Sequence, residues 1–174
     1  MLSRLLRLAT RRFGARYDYD AGYMEDMAGL SPGAFVKLGM LLAFTQERFG
    51  LPPAPYFAAK FIAARAAGCG PCAMLVIRMA EEAGVAPGRL AAIARPGPAD
   101  PDMRLAADYA AAVLSDSPGR AALAEKVTAR FGQKGLWGLA AAIAAGQFFP
   151  VLKRGMGAAE SCAILPAEFR EAAR

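Results

Sequence analysis

Helix punctuation recurs along this sequence, and sustained alternation of apolar with polar residues occurs nowhere in it. Ser31-Pro32, Asp100-Pro101 and Ser117-Pro118 each pair an N-capping residue with a proline suited to the first helical position. Gly50, Gly84 and Gly132 stand where helix C-termini are expected, and Pro52-Pro53-Ala54-Pro55 separates two helices. Alanine supplies almost a quarter of the chain, which favours helix over strand. The pattern predicts helices near 21–28, 32–49, 55–67, 70–83, 87–94, 101–115, 118–131 and 134–156, the last bent at Pro150. The fold class expected is all-α. With 174 residues, 56% of them hydrophobic, one domain with one sizeable core is the expectation.

The sequence contains no histidine. That removes the Ser/His/Asp triad, the histidine general base, the HExxH zinc site and proximal-histidine haem together. Three cysteines are too few for a secreted disulfide scaffold of this length, so a reducing cytoplasm is expected. The net charge is +6, of which Arg4, Arg7, Arg11, Arg12 and Arg16 supply +5 before the first acidic residue, Asp18. The basic balance therefore belongs to an N-terminal arm, and a nucleic-acid groove on the folded body is disfavoured.

Residues 1–16 place Leu2, Leu5, Leu6, Ala9 and Phe13 at helical spacing opposite Arg4, Arg7 and Arg11. This reads as a basic amphipathic helix, docked by its leucines on the body or on a neighbouring subunit, with peripheral contact to an anionic membrane as the alternative. The run is too short and too often interrupted for a signal peptide or a bilayer span. Leu136 to Leu152 is more apolar, but it includes Gln147 and Pro150 and is short for a span, so a core or interface helix is expected.

The chemistry concentrates in Gly68-Cys69-Gly70-Pro71-Cys72. Gly-Pro between the cysteines fits the opening turn of a helix, with Cys69 at its N-terminal edge and Cys72 in the first turn, close enough to form a disulfide. Unpaired N–H groups and the helix dipole there favour a thiolate on at least one sulfur. Cys72, Leu75, Val76 and Met79 share one apolar face directed inward; Arg78, Glu81 and Glu82 lie on others. By this reading Cys69 meets solvent or a partner and Cys72 is the more protected sulfur. A zinc site would need two further ligands, and only Cys162 and carboxylates are on offer, so no metal is expected. The bland alternative makes both cysteines small packing residues. Cys162 is either inert or a third redox partner.

Around this motif, Pro53 to Val85 resembles the carboxymuconolactone decarboxylase and alkylhydroperoxidase-D superfamily: an apolar helix, the Cys-Gly-Pro-Cys string, then a helix closed by Ala83-Gly84-Val85. Leu105 to Leu114, Ala121 to Phe131 and Leu136 to Gly157 are similar to its downstream helices. The resemblance covers 53–157. It divides the chain into a basic helix at 1–16, a helical extension at 17–52, the family-like core at 53–157 and a tail at 158–174. It implies a helical bundle that assembles as a homo-oligomer, a trimer or larger. In the peroxidase branch a dithiol reduces a peroxide and is recharged by a lipoylated or thioredoxin-like donor, and Cys69 and Cys72 match that pair. The branch's relay histidine, four residues after the second cysteine, is Val76 here, and its glutamate, twelve before the first, is Phe57. Proton transfer of that kind is commonly worth about 10²–10⁴ in rate, so the expected turnover is weak. Lys60, one turn after Phe57, is a supporting candidate as a cation for the thiolate.

The function expected is that of a dithiol/disulfide oxidoreductase acting on hydroperoxides or another small oxidant, without a bound cofactor. The alternatives are a non-catalytic redox sensor or assembly protein of the same fold, and a surface-associated protein that uses the arginine-rich helix.

Overall fold

The computed structural model describes residues 1–95, 97–158 and 169. Cys162 and most of the expected tail lie outside the described residues. Among the described residues there are eight helices and no strands: α1 (Leu2–Tyr17), α2 (Gly22–Leu30), α3 (Pro32–Phe44), α4 (Pro53–Ala66), α5 (Gly70–Glu82), α6 (Pro87–Ile93), α7 (Pro101–Leu114) and α8 (Arg120–Gly155).

α4 is the central helix. Every residue from Pro55 to Ala64 is buried, because α4 is covered by α8, α7 and α5 on successive sides. A helix apolar all round can only be stable in such a place. Alanine at 58, 59, 63 and 64 lets the neighbours approach closely. The tightest approach is at Gly146 of α8, where a Cβ would stand 2.6 Å from both the Ala63 Cβ and the Lys60 carbonyl oxygen. Gln147 donates from Nε2 to the Ala63 carbonyl at 2.7 Å beside it. α8 is long and apolar enough to cross a membrane by length and composition, but half of its apolar window is buried inside the bundle.

The sequence signals place most helix ends. Asp100 caps α7 by accepting from the N–H groups of Asp102 and Met103, and Gly132, at φ 74°, breaks α8 where two helices were expected to meet. Four boundaries differ by two residues or more: α2 runs on to Leu30 rather than 28, and α4 begins at Pro53 rather than 55, because proline is tolerated in the first turn of a helix. The third helix was expected to reach 49 but ends at Phe44: the Thr45 hydroxyl bonds back to the Leu42 carbonyl, and the Thr45 carbonyl accepts a short bond from Tyr56 rather than continuing the helix. α8 begins at Arg120 rather than 118 because Ser117-Pro118-Gly119 forms a turn in which the Ser117 hydroxyl accepts from the Gly119 N–H.

α1 also departs from expectation. Leu6 and Phe13 are half-buried, while Leu2, Leu5 and Leu8 are 52%, 59% and 46% exposed, so the leucines do not dock as a set on this chain. The N-terminal segment is held by an apolar cluster, in which Tyr19, Ala21, Tyr23 and Met24 are buried against Phe13, Leu42, Leu75 and Leu152, and by polar contacts. Arg78 of α5 donates to the carbonyls of Tyr17 and Asp18 and, at 2.7 Å, to the Asp18 carboxylate. Glu82 accepts from the Tyr17 hydroxyl and pairs with Arg16, and Arg11 pairs with Glu25 at 2.7 Å.

Candidate functional site

Cys69 is the N-cap of α5, in extended conformation (φ −107°, ψ 94°), and Cys72 lies in the first turn. The preceding Gly68 has φ 69°, which reverses the chain between α4 and α5 at a position where a Cβ would be strained. Both cysteines are reduced thiols and lie near disulfide distance. Both are buried, at 5% and 4% exposure. The expectation that Cys69 faces solvent therefore fails: the chain entering α5 packs into the bundle.

Cys72, Leu75, Val76 and Met79 all line one cavity, as their shared helical face predicts. The cavity has a volume of about 60 Å³, room for a few waters. The remaining wall comes from the N-terminal segment, α3, α4 and the end of α8: Phe13 of α1, Tyr19 and Tyr23 around the start of α2, Leu42 and Gln46 near the end of α3, Lys60 of α4, and Phe149 of α8.

The polar groups around Cys72 come from outside the motif. The Tyr19 hydroxyl lies 3.8 Å from the Cys72 Sγ and 3.3 Å from the Tyr23 hydroxyl. The Lys153 ammonium, 2% exposed, sits 5.4 Å from the Tyr19 ring centre and 5.7 Å from that of Tyr23, within reach of the negative ring faces. Sequence reasoning missed all three. Their faint signals are the four-residue spacing of Tyr19 and Tyr23 and a lysine at the end of the apolar run Phe148-Phe149-Pro150-Val151-Leu152.

The electrostatics oppose easy ionisation at Cys72. Its hydrogen bond to Cys69, burial, and the Cys69 charge all push its pKa up, while the Tyr19 hydroxyl and the Lys153 charge pull it down. The expected helix-stabilised thiolate is not found at this sulfur. Two sulfurs sharing one proton strongly resist losing both. Burial likewise raises Tyr19, and raises Tyr23 to about 12, so both hydroxyls stay protonated and available as donors.

Lys60 belongs to the same cavity wall and is buried, at 6% exposure. Its Nζ donates to the Thr45 carbonyl at 3.5 Å and to the Tyr56 hydroxyl at 3.4 Å. Phe57 and Val76, which stand where the resemblance led one to expect a glutamate and a histidine, are both buried and apolar; Phe57 packs edge-on against Tyr56, with ring centres 5.1 Å apart. Among the described residues no group of three or more cysteine or carboxylate side chains is placed to hold a metal ion. No family model, no curated protein and no solved structure matches this chain.

Proposed function

We propose that this protein is a dithiol/disulfide oxidoreductase that reduces hydroperoxides through Cys72 and Cys69. The observation that carries the reading is the pair itself: two reduced thiols near disulfide distance at a helix start, one of them in the wall of an apolar cavity beside a hydroxyl donor.

The sulfur that faces the cavity is the one that attacks. The dithiol loses one proton and the other bridges the sulfurs; the reactive form is the one with that proton on Cys69 and the charge on Cys72, which Tyr19 and Lys153 favour against the larger opposing effects of Cys69 and burial. Cys72 attacks the terminal peroxide oxygen and the O–O bond breaks, giving a sulfenic acid on Cys72 and an alkoxide. The alkoxide takes the proton held by Cys69, relayed through the Tyr19 hydroxyl, and becomes the alcohol. The Cys69 thiolate then attacks the Cys72 sulfur and expels hydroxide, which takes up the proton released at the start and leaves as water. A reduced dithiol donor, lipoylated or thioredoxin-like, exchanges with the disulfide, restores both thiols and is itself oxidised.

Tyr19 thus stands in for the relay that Val76 and Phe57 cannot supply. The fold type implied by the resemblance, a homo-oligomeric alkylhydroperoxidase-D-like bundle in the cytoplasm, is part of the same proposal. The apolar relay positions favour a second reading, in which the pair only senses oxidant and changes assembly.

The test is peroxide consumption with a dithiol present. Cys69→Ser is expected to stop turnover yet accumulate a sulfenic acid on Cys72, trapped as a dimedone adduct; Cys72→Ser is expected to abolish the reaction with peroxide. Undiminished turnover in both variants rules out the enzyme. A wild type that forms the disulfide and changes mass in solution, but never turns over, establishes the sensor instead.

A further inference from the structure

One charged group in the cavity wall has no task in the reaction above. Lys60 is almost fully buried, and an ammonium carries three N–H donors. Two of them make long bonds, to the Thr45 carbonyl and the Tyr56 hydroxyl, and that carbonyl already accepts a shorter bond from Tyr56 itself. No carboxylate pairs with Lys60 among the described residues, and the displacement of its pKa, down to about 8, has burial as its cause. It remains mostly protonated at neutral pH. Buried charges are ordinarily paired, because an uncompensated ion in apolar surroundings is costly. The space open to a compensating anion is the cavity, whose other walls are largely apolar.

We propose that the cavity binds a small carboxylate with an apolar body, its carboxylate on the Lys60 ammonium and its hydrocarbon against Leu42, Val76, Met79 and Phe149. Resting on the redox reading, this assigns the substrate class: hydroperoxides that carry a carboxylate, held by Lys60 while the peroxide lies against Cys72. A phosphate fits poorly, since a dianion would need several donors and the wall offers one cation. A neutral hydroperoxide would leave Lys60 uncompensated.

The test separates binding from redox chemistry by using the full chain carrying Cys69→Ser and Cys72→Ser together, titrated calorimetrically with propionate and with propan-1-ol, which are short enough for a cavity of about 60 Å³. Propionate is expected to bind about tenfold tighter or more, the difference typical of a hydrogen bond to a charged group. Adding Lys60→Met is expected to erase the preference while propanol binding persists, and Lys60→Gln, which keeps a donor without charge, is expected to do the same. Equal affinity for acid and alcohol in the parent, absence of propionate binding, or a preference that survives both lysine substitutions overturns the proposal. Each of those results leaves peroxide consumption by the wild type untouched. Propionate binding in a protein whose wild type consumes no peroxide overturns the redox reading alone.

Discussion

A buried ammonium ties the stability of this protein to pH. Lys60 has its pKa lowered from the ordinary 10.5 to about 8 by burial, so the unfolded chain holds that proton more tightly than the folded one. Protonation therefore favours unfolding. The penalty is full below about pH 8, fades as pH rises toward 10.5, and amounts to at most about 3 kcal/mol. Tyr56 on its own helix, Tyr19 and Tyr23 from the start of α2, and Cys72 from α5 also titrate near the cavity, all raised by their surroundings. Their effect on stability has the opposite sign, so the measurement is a difference. Lys60→Met is expected to be more stable than wild type at pH 7 by about 1–3 kcal/mol in urea denaturation, and the gap is expected to narrow by about 1 kcal/mol at pH 9. A gap independent of pH would show that Lys60 is solvated. At this scale the sequence was only partly legible. Cys69-Gly-Pro-Cys72 announced itself through adjacency and helix-start chemistry. Tyr19, Tyr23 and Lys153 did not, because their meaning depends on a contact between segments more than fifty residues apart in the chain.

Between elements, the crossing of α4 and α8 sets the position of Lys60. Helix propensity alone makes Gly146→Ala favourable by about 1 kcal/mol. The crossing argues otherwise, since the new Cβ would meet backbone and another Cβ, neither of which can swing away. Forced repacking of that kind typically costs about 1–3 kcal/mol. We expect a net loss of stability, with Tm lowered by several degrees in a thermal melt; an unchanged or higher Tm would mean that the helices lie farther apart. A second prediction concerns Arg104 of α7, whose guanidinium donates to the carbonyls of Ala92, Ile93 and Arg95 at 3.2 Å or less and so closes the end of α6. Arg104→Met is expected to cost about 2 kcal/mol, scaled from hydrogen bonds to charged groups and measured by chemical denaturation. The starts of α5 and α7 were readable because Gly-Pro and Asp-Pro pairs act locally, whereas Ser117-Pro118 gave a turn and α4 began two residues early at Pro53. The end of α3 was not readable, since Tyr56 of another helix draws the Thr45 carbonyl out of line. The capping of α6 by Arg104 left no local mark either.

At the level of the whole molecule, the segment before α3 closes the site. It contributes Phe13, Tyr19, Tyr23 and Met24 to the cavity wall, and although α1 presents exposed leucines the segment is held to the core by the buried cluster around Tyr19, Tyr23 and Met24 together with ionic and hydrogen-bonded contacts. Lifting of this segment would open a way to Cys72, and Arg78 opposes it because it grips the carbonyls of Tyr17 and Asp18 and the Asp18 carboxylate. Hydrogen bonds to charged groups contribute about 1.5–3 kcal/mol, so losing the grip multiplies the open population by at least about tenfold. Arg78→Met is therefore expected to speed alkylation of Cys72 by that factor at fixed pH, read residue by residue by mass spectrometry. Arg89→Met, which removes only the surface pair of Arg89 with Asp100, is the matched control and should leave the rate unchanged. Equal labelling in the two variants would mean that the cavity has an entrance elsewhere. The N-terminal segment would then be a fixed wall, and its place in the chemistry would reduce to holding Tyr19 against the sulfur.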